Sequence, residues 1–195
     1  MEEILKFAKE NHVPVVRPKT LELLLKTIQD NKPKRILEIG TAIGYSGANM
    51  LLNSDAELVT IEKYDKMYDI AKKNFEKLGL TNRVNQIFGD AKEILAQLLS
   101  NNEKFDFVFL DGPKGQYLSY LPLLNEMLEG GGIIFADDVL FRGLVQGDAW
   151  PEHRTRTIVI NLRKYLQEVN NPPFESTLID MEDGVCITKK GENKW

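Results

Sequence analysis

The chain has 195 residues, of which 43% are hydrophobic and 28% are charged, and its formal net charge is −4. This composition is typical of a soluble globular protein with one buried core, and it excludes a disordered tail or a fibrous protein. Because the chain is mildly acidic overall, any nucleic-acid function has to depend on a local basic patch.

Two features of the sequence bear on the cellular compartment. The only cysteine, Cys186, has no partner for an internal disulfide, which fits a reducing compartment. The N-terminal residues are charged and helical in pattern, and no run reaches the roughly 18 apolar residues of a membrane span. We therefore expect a cytoplasmic protein with no membrane partner.

Short apolar runs alternate with helical patterns along most of the chain. Two helices are predicted at 2–10 and 18–30, with Pro14 and Pro18 breaking the chain between them. The strand candidates that follow are RILEI (35–39), ELVTI (57–61), RVNQIF (83–88), FDFVFLD (105–111) and GGIIFAD (131–137). The helical stretches between them are 46–53, 65–78, 91–99 and 116–128. This alternation predicts a parallel sheet with helices on both faces.

The C-terminal part of the chain has a different pattern. Residues 152–169 have the periodicity of a basic helix, which the sequence NNPP at 170–173 ends. FESTLID (174–180) and GVCITKK (184–190) indicate two strands, and Asp183-Gly184 is a turn signal between them. We expect an antiparallel hairpin at this end of the sheet, which is unusual for a dinucleotide-binding fold.

The first strand leads into LEIGTAIGYS (37–46), in which an acid, two glycines and a hydroxyl follow one another. Ligands of open α/β sheets bind at the carboxyl ends of the strands, where Gly40 and Gly44 let the backbone approach a ligand closely. The G-x-G of a dinucleotide fingerprint is missing. Glu38 instead places a negative charge before the loop, which suits a cationic ligand better than a pyrophosphate.

Acidic residues also end the second and third strands. Glu62 can accept hydrogen bonds from both hydroxyls of a ribose, and Asp90, which precedes Ala91, can accept one from an adenine amino group. A ribose, an adenine and a positive charge together describe S-adenosylmethionine. The alternative is that these acids only cap helices. An NAD-binding oxidoreductase is a further reading, although the missing G-x-G and the hairpin disfavour it.

Three aspartates lie at the ends of the fourth and fifth strands. FLDGPKGQY contains Asp111 and Lys114, and IIFADDVLF contains Asp137 and Asp138. Converging carboxylates repel one another unless a cation lies between them, and oxygen ligands suit a hard divalent ion such as Mg²⁺. For any one aspartate alone, a solvated loop residue, or a helix cap in the case of Asp138, is the better interpretation. As a set, they predict a metal site.

On these segments the chain resembles the class I S-adenosylmethionine-dependent methyltransferases, in particular the metal-dependent O-methyltransferases that include the catechol and caffeoyl-CoA enzymes. The most specific segments are LEIGTAIGYS, FVFLDGPKGQY and IIFADDVLFRGLV. The resemblance implies a Rossmann-like α/β fold with a seven-stranded, mostly parallel sheet, a C-terminal antiparallel hairpin and helices on both faces. It also implies a single domain over 1–195, with N-terminal helices in 1–30 and the methyltransferase core in 35–195.

The resemblance assigns roles to individual residues. Asp111, Asp137 and Asp138 are expected to bind Mg²⁺, or else Mn²⁺ or Ca²⁺, and Lys114 is expected to be the catalytic base, with a lowered pKa, assisted by Asp111. The expected cofactor-binding residues are Val16, Glu38, Gly40, Gly44, Ser46, Glu62, Asp90, Ala91 and Asp111. The family usually has Asp-Asn where this chain has Asp137-Asp138, so the extra charge is expected to tighten the ion and weaken its effect on the substrate.

The acceptor is less determined by the sequence. DGPKGQY, DDVLFRGLV and VPVVRP (13–18) are similar to bacterial tRNA 5-hydroxyuridine methyltransferases, which form 5-methoxyuridine at the wobble position. An RNA substrate needs basic residues near the site. The candidates are Arg142, His153, Arg154, Arg156, Arg163 and Lys164, and further Arg17, Lys19, Lys34 and Arg35. Tyr117, Phe141 and Trp150 are expected to stack on an extruded base.

The substrate-binding residues expected with this assignment are Arg17, Arg142 and Tyr117, and the expected partner is the anticodon loop of tRNA. Two other readings stay open at this point. One is a methyltransferase for small phenolic substrates of the catechol or caffeoyl-CoA type. The other is a non-catalytic RNA-binding module on the same scaffold. By resemblance, a homodimer is expected.

Overall fold

A computed structural model describes residues 1–147 and 152–192. Two compact units make up the chain, Met1–Ile94 and Leu95–Trp195. The seven strands belong to one sheet that is mostly parallel and has an antiparallel C-terminal hairpin, as the sequence predicts. None of the helices within the described ranges combines the length and apolar character that crossing a bilayer requires. Trp150, expected to stack on a base, lies outside the described residues.

The first unit consists of three parallel strands and their helices. In chain order, its elements are α1 (Glu2–Glu10), α2 (Pro18–Asn31), β1 (Arg35–Ile39), α3 (Tyr45–Leu52), β2 (Glu57–Glu62), α4 (Asp65–Lys77) and β3 (Val84–Phe88). The strands are ordered β3-β2-β1, and Ile36 of β1 pairs with Leu58 of β2. β1 is buried from its second residue onward, which is typical of a strand covered on both faces. α5 (Ala91–Ser100) follows β3.

The second unit contains the other four strands. Its elements are β4 (Phe105–Leu110), a 3₁₀ turn (Lys114–Gln116), α6 (Tyr117–Met127), β5 (Leu128–Ala136), α7 (Arg156–Glu168), β6 (Phe174–Ile179) and β7 (Val185–Lys190). The strand order is β4-β5-β7-β6. β4 and β5 are parallel, so Asp111 and Asp137 follow two strand ends that pair at Leu110 and Ala136. β7 is antiparallel to both of its neighbours.

Two element boundaries differ from the sequence prediction by more than one residue. β5 begins at Leu128, which pairs with Phe105, rather than at residue 131. Three consecutive glycines follow there, and they carry no side-chain pattern from which the start of a strand can be read. α7 begins at Arg156 rather than at 152, because the Thr155 N–H donates to the Glu152 carbonyl in a preceding turn.

Arg83 connects the start of β3 to the end of α3. Its guanidinium donates hydrogen bonds to the carbonyl oxygens of Leu51 (2.8 Å), Ser54 (2.8 Å) and Ala56 (3.3 Å). The last carbonyls of a helix have no partner within the helix, so an external donor satisfies them. Because the donor is charged, these bonds are stronger than neutral ones.

We predict that Arg83→Ala lowers the free energy of unfolding by about 2 kcal/mol, because hydrogen bonds to a charged group contribute roughly 1.5–3 kcal/mol. Urea denaturation of both proteins measures the difference. The control is Lys26→Ala, which removes an exposed pair with Asp30 at 3.1 Å and is expected to cost less than about 0.5 kcal/mol. Equal losses in the two variants would contradict this account of Arg83.

Candidate active site

The loop between β1 and α3 depends on glycine at two positions. Gly40 has φ 103° and Gly44 has φ 78°, a region that side chains strongly disfavour. A Cβ at Gly44 would also lie 3.0 Å from the ring of Phe75. We call residues 40–44 the glycine loop. Its sharp turn brings the chain directly into the first turn of α3.

Glu38 holds the base of the glycine loop. Its side chain is completely buried. One carboxylate oxygen accepts a hydrogen bond from the Ser46 hydroxyl at 2.5 Å, and the other accepts one from the Thr60 hydroxyl at 2.6 Å. Thr60 also lies 2.5 Å from the hydroxyl of Thr41 in the loop. A buried carboxylate needs such donors, so Glu38 links β1, β2 and the start of α3.

Glu62 fixes the middle of the same loop. One of its oxygens accepts the Ala42 N–H at 2.8 Å, and the other accepts the N–H groups of Lys63 and Tyr64, both at 2.9 Å. Ala42 has φ 45°, which is uncommon for a residue with a side chain. The charged hydrogen bond from Glu62 stabilises this backbone. The structure therefore brings Glu62 to the glycine loop, as its predicted role requires.

The remaining cofactor-binding candidates of the first unit have different surroundings. Asp90 is exposed, and its carboxylate accepts the Lys92 N–H at 2.9 Å at the start of α5, as a helix cap does. Ala91 and Val16 are buried. Arg17, a predicted substrate residue, is exposed just before α2. The cofactor and substrate roles of these residues remain predictions.

The structure brings the three predicted carboxylates of the second unit together. One oxygen from each of Asp111, Asp137 and Asp138 lies within 4.8 Å of the other two. Asp137 is buried, whereas the other two are partly exposed. We call these residues the carboxylate cluster. Its possible metal-ligand atoms are all carboxylate oxygens, which suit a hard divalent ion.

Asp137 and Asp138 both reach the cluster because the chain turns between them. Successive residues of a strand point to opposite faces, but Asp138 has φ 56° and so leaves the strand conformation. Aspartate and asparagine tolerate this left-handed backbone better than other side chains do. The Asp138 N–H also donates to the Asp137 carboxylate at 2.7 Å, which fixes the two residues relative to each other.

Lys114 lies against the cluster. Its ammonium is 2.6 Å from an oxygen of Asp111 and 3.3 Å from an oxygen of Asp138, and only 16% of its side chain is exposed. Burial acts to lower the pKa of Lys114, but the surrounding groups of Tyr117, Asp111 and Asp138 together outweigh it and raise the pKa well above the usual value. The lowered pKa that is expected for Lys114 beside a bound ion stays a prediction.

The surroundings of Asp137 disfavour its ionised form. Burial, together with the negative charges of Asp111 and Asp138, raises the pKa of Asp137 to about 7. A positive charge among these oxygens would offset the repulsion that contributes to this raised pKa.

Tyr117 is not placed for stacking on a base, which corrects the sequence-based expectation. The side chain is completely buried, and its ring packs edge-on against Tyr165 at 5.7 Å between centroids. Its hydroxyl shares its one proton between the Leu110 carbonyl at 2.9 Å and the Asp137 carbonyl at 3.0 Å. Tyr117 therefore ties together the strand ends that carry the carboxylate cluster. Burial also raises its pKa.

The predicted basic patch divides into structural and exposed residues. The Arg163 guanidinium donates to the carbonyls of Val145 (3.1 Å), Leu144 (3.2 Å) and Gly147, so it supports a loop rather than facing solvent. Arg156 and Arg35 are partly buried. The exposed members are Arg17, Lys19, Lys34, Arg142, His153, Arg154 and Lys164. Arg142 lies over the half-buried ring of Phe141, 5.8 Å from its centroid.

Sequence reasoning missed two polar residues that support the site. Thr60 carries the only hydroxyl group of β2, whose other residues are apolar or acidic. A single hydroxyl in such a strand could have been recognised in the sequence as a candidate polar contact. The Asn161 side chain of α7 donates to the Gly115 carbonyl at 2.8 Å and so fixes the turn that contains Lys114. Nothing in the local sequence around Asn161 predicts this long-range contact.

The chain is similar to known methyltransferases over almost all of its length. A model of the O-methyltransferase family matches residues 3–191. A caffeoyl-CoA O-methyltransferase of Populus kitakamiensis is 32% identical over 187 residues, which covers 91% of this chain and 77% of that protein.

Solved structures extend the comparison to the fold. An O-methyltransferase from Bacillus cereus in complex with SAH has a TM-score of 0.88 and 27% identity, covering 97% of this chain and 89% of its own. SAH-bound methyltransferase PaMTH1 of Podospora anserina has a TM-score of 0.80 and 30% identity, covering 91% of this chain and 80% of its own.

These similarities confirm the class I methyltransferase fold that the sequence predicts. The matched residues include the glycine loop and the carboxylate cluster. The protein described here therefore belongs to the O-methyltransferase family.

Proposed function

We propose that this methyltransferase uses S-adenosylmethionine and a divalent metal ion to methylate 5-hydroxyuridine at the tRNA wobble position, giving 5-methoxyuridine. The observation that supports it most directly is the convergence of Asp111, Asp137, Asp138 and Lys114 in one cluster. Three carboxylates are suited to a hard cation, and a buried lysine beside them is suited to proton transfer.

The first unit supplies the binding site for S-adenosylmethionine. The glycine loop admits a ligand close to the backbone, and Glu62 offers a carboxylate at the loop for the ribose hydroxyls. Glu38 fixes the position of Ser46, and with it the end of the glycine loop, by accepting the hydrogen bond of the Ser46 hydroxyl. SAH is bound in the related structures from Bacillus cereus and Podospora anserina, which supports this assignment.

The second unit supplies the acid–base chemistry. Asp111, Asp137 and Asp138 would hold a divalent ion, and such an ion would stabilise negative charge on the acceptor oxygen. The buried Lys114 lies against these carboxylates, where its amine, once deprotonated, would accept the proton of the acceptor hydroxyl.

The assignment of the acceptor rests on two features. 5-Hydroxyuridine has adjacent oxygens at C5 and C4, so it can present two ligands to one ion, as a catechol does. The exposed basic residues Arg142, Arg154 and Lys164 of the second unit supply positive charge for a polyanion. The second candidate is a small phenolic acceptor. It is favoured by the similarity to caffeoyl-CoA O-methyltransferases and by the burial of Tyr117.

We predict that the purified protein, given S-adenosylmethionine and Mg²⁺, converts 5-hydroxyuridine in tRNA to 5-methoxyuridine. Mass spectrometry of the digested nucleosides measures the product, with tRNA that lacks the hydroxyl as the control. Parallel reactions contain catechol and caffeoyl-CoA. Methylation of either small molecule without methylation of the tRNA would establish the second candidate instead.

We predict that a chelator abolishes turnover and that Lys114→Met lowers it by about 10²- to 10⁴-fold, as expected for the loss of a general base. The same variant is expected to bind Mn²⁺ at least as tightly as the wild type, because a positive charge next to the ion is removed. Calorimetry measures Mn²⁺ and SAH binding, and the exposed Lys72→Met is the control. Full turnover in the presence of the chelator would refute the role of the metal ion. Full turnover by Lys114→Met would refute the role of Lys114 as the base.

We predict that divalent-ion affinity increases with pH up to about 7 and is constant above it. The pKa of Asp137 is raised to about 7, so below that pH the ion has to displace a proton, which costs about tenfold in affinity per pH unit. Calorimetric titration with Mn²⁺ between about pH 5.5 and 8.5 tests this, with SAH affinity as the comparison. A flat profile for Mn²⁺ would show that binding displaces no proton from Asp137 in this pH range.

A further inference from the structure

The turn of the C-terminal hairpin packs against the loop that carries Asp138. We call residues 180–184, between β6 and β7, the hairpin turn, and residues 138–142 the aspartate loop. The Val139 N–H donates to the Gly184 carbonyl at 3.0 Å, and the Leu140 N–H donates to the Asp183 carbonyl at 2.9 Å. The Arg142 N–H donates to the Asp183 carboxylate. Three backbone N–H groups of the aspartate loop, those of Val139, Leu140 and Arg142, thus bind the hairpin turn.

The fit between the two segments depends on a glycine. Gly184 has φ 83°, and a Cβ there would lie 2.2 Å from Leu140 Cγ and 2.7 Å from Leu140 Cδ1. Leu140 is buried, so its side chain has little room to move away. Any residue other than glycine at this position would push the hairpin turn and the aspartate loop apart.

The aspartate loop has a backbone that needs such support. Asp138, Phe141 and Arg142 have φ values of 56°, 44° and 60°, all in the left-handed region. Conformations of this kind persist only where surrounding contacts hold them. The hydrogen bonds of Val139 and Leu140 restrain the peptide units that directly follow Asp138. They therefore restrain the direction in which the Asp138 carboxylate leaves the backbone.

We propose that the hairpin turn sets the position of the Asp138 carboxylate and that Asp183 and Gly184 are positioning residues for the divalent-ion site. This inference rests on the proposed metal-dependent function. Neither residue supplies a ligand atom; both act through the backbone of the aspartate loop. Partners that orient a ligand residue typically change metal affinity by 10- to 100-fold when they are removed.

The test is Mn²⁺ binding by the full-length protein, measured by calorimetry together with SAH binding. Gly184→Ala and Asp183→Ala are expected to weaken Mn²⁺ binding at least tenfold and to leave SAH affinity within about twofold of the wild type. Asp183→Asn is expected to restore Mn²⁺ affinity, because the amide oxygen can still accept the Arg142 N–H. A merely structural defect would lower both affinities.

Gly143→Ala is the matched control for the glycine. Gly143 also has a left-handed backbone, with φ 74°, but a Cβ there would meet nothing within 4 Å. The control variant therefore carries the same kind of backbone strain without a clash, and its Mn²⁺ affinity is expected to stay within about twofold of the wild type. An equal loss in both alanine variants would overturn the inference.

The outcomes separate this inference from the proposed function. If the wild type binds Mn²⁺ and both Gly184→Ala and Asp183→Ala bind it equally well, the positioning role is wrong and the metal site stands. If the wild type does not bind Mn²⁺, the metal site itself is wrong and the inference falls with it. If Gly184→Ala does not fold, the comparison of Asp183→Ala with Asp183→Asn decides: equal losses would overturn the hydrogen-bond assignment.

Discussion

The repulsion among three closely spaced carboxylates is the constraint on which the second unit of this protein depends. The ammonium of Lys114 offsets part of it, and the raised pKa of Asp137 shows that the offset is incomplete. Keeping such groups together requires support from neutral partners. Tyr117 joins the carbonyls at the two strand ends, and Asn161 fixes the turn of Lys114. These polar contacts thus hold the segments that carry the charged side chains of the cluster and of Lys114.

The first unit uses acidic side chains in a different way. Glu38 and Glu62 accept hydrogen bonds from their own unit, and these bonds hold the glycine loop in a backbone conformation that few residues adopt. An acid at the end of a strand thus has two roles that are compatible: it shapes the loop, and it offers negative charge close to where a cationic cofactor can bind. Substituting either acid would affect loop geometry as well as the proposed contacts with the cofactor.

The strands, the glycine loop and the convergence of the carboxylates could be predicted from the sequence, because these features follow from local periodicity and from the shared edge of parallel strands. The burial of Tyr117 could not, since an aromatic residue after a loop has the same local pattern whether it faces a ligand or the core. The pKa of Lys114 depends on distances to Asp111 and Asp138 that no spacing specifies. The early start of β5 was hidden by three glycines without side chains.

The left-handed backbone conformation of Asp138 limits which residue types this position can accept. Aspartate and asparagine share both the tolerance for this conformation and an oxygen at the same distance from the backbone. Replacing aspartate by asparagine at this position would remove one negative charge from the site and leave the backbone conformation unchanged. If the proposed function holds, a lineage can therefore adjust how strongly the site attracts a divalent ion through a single position, without rebuilding the surrounding loop.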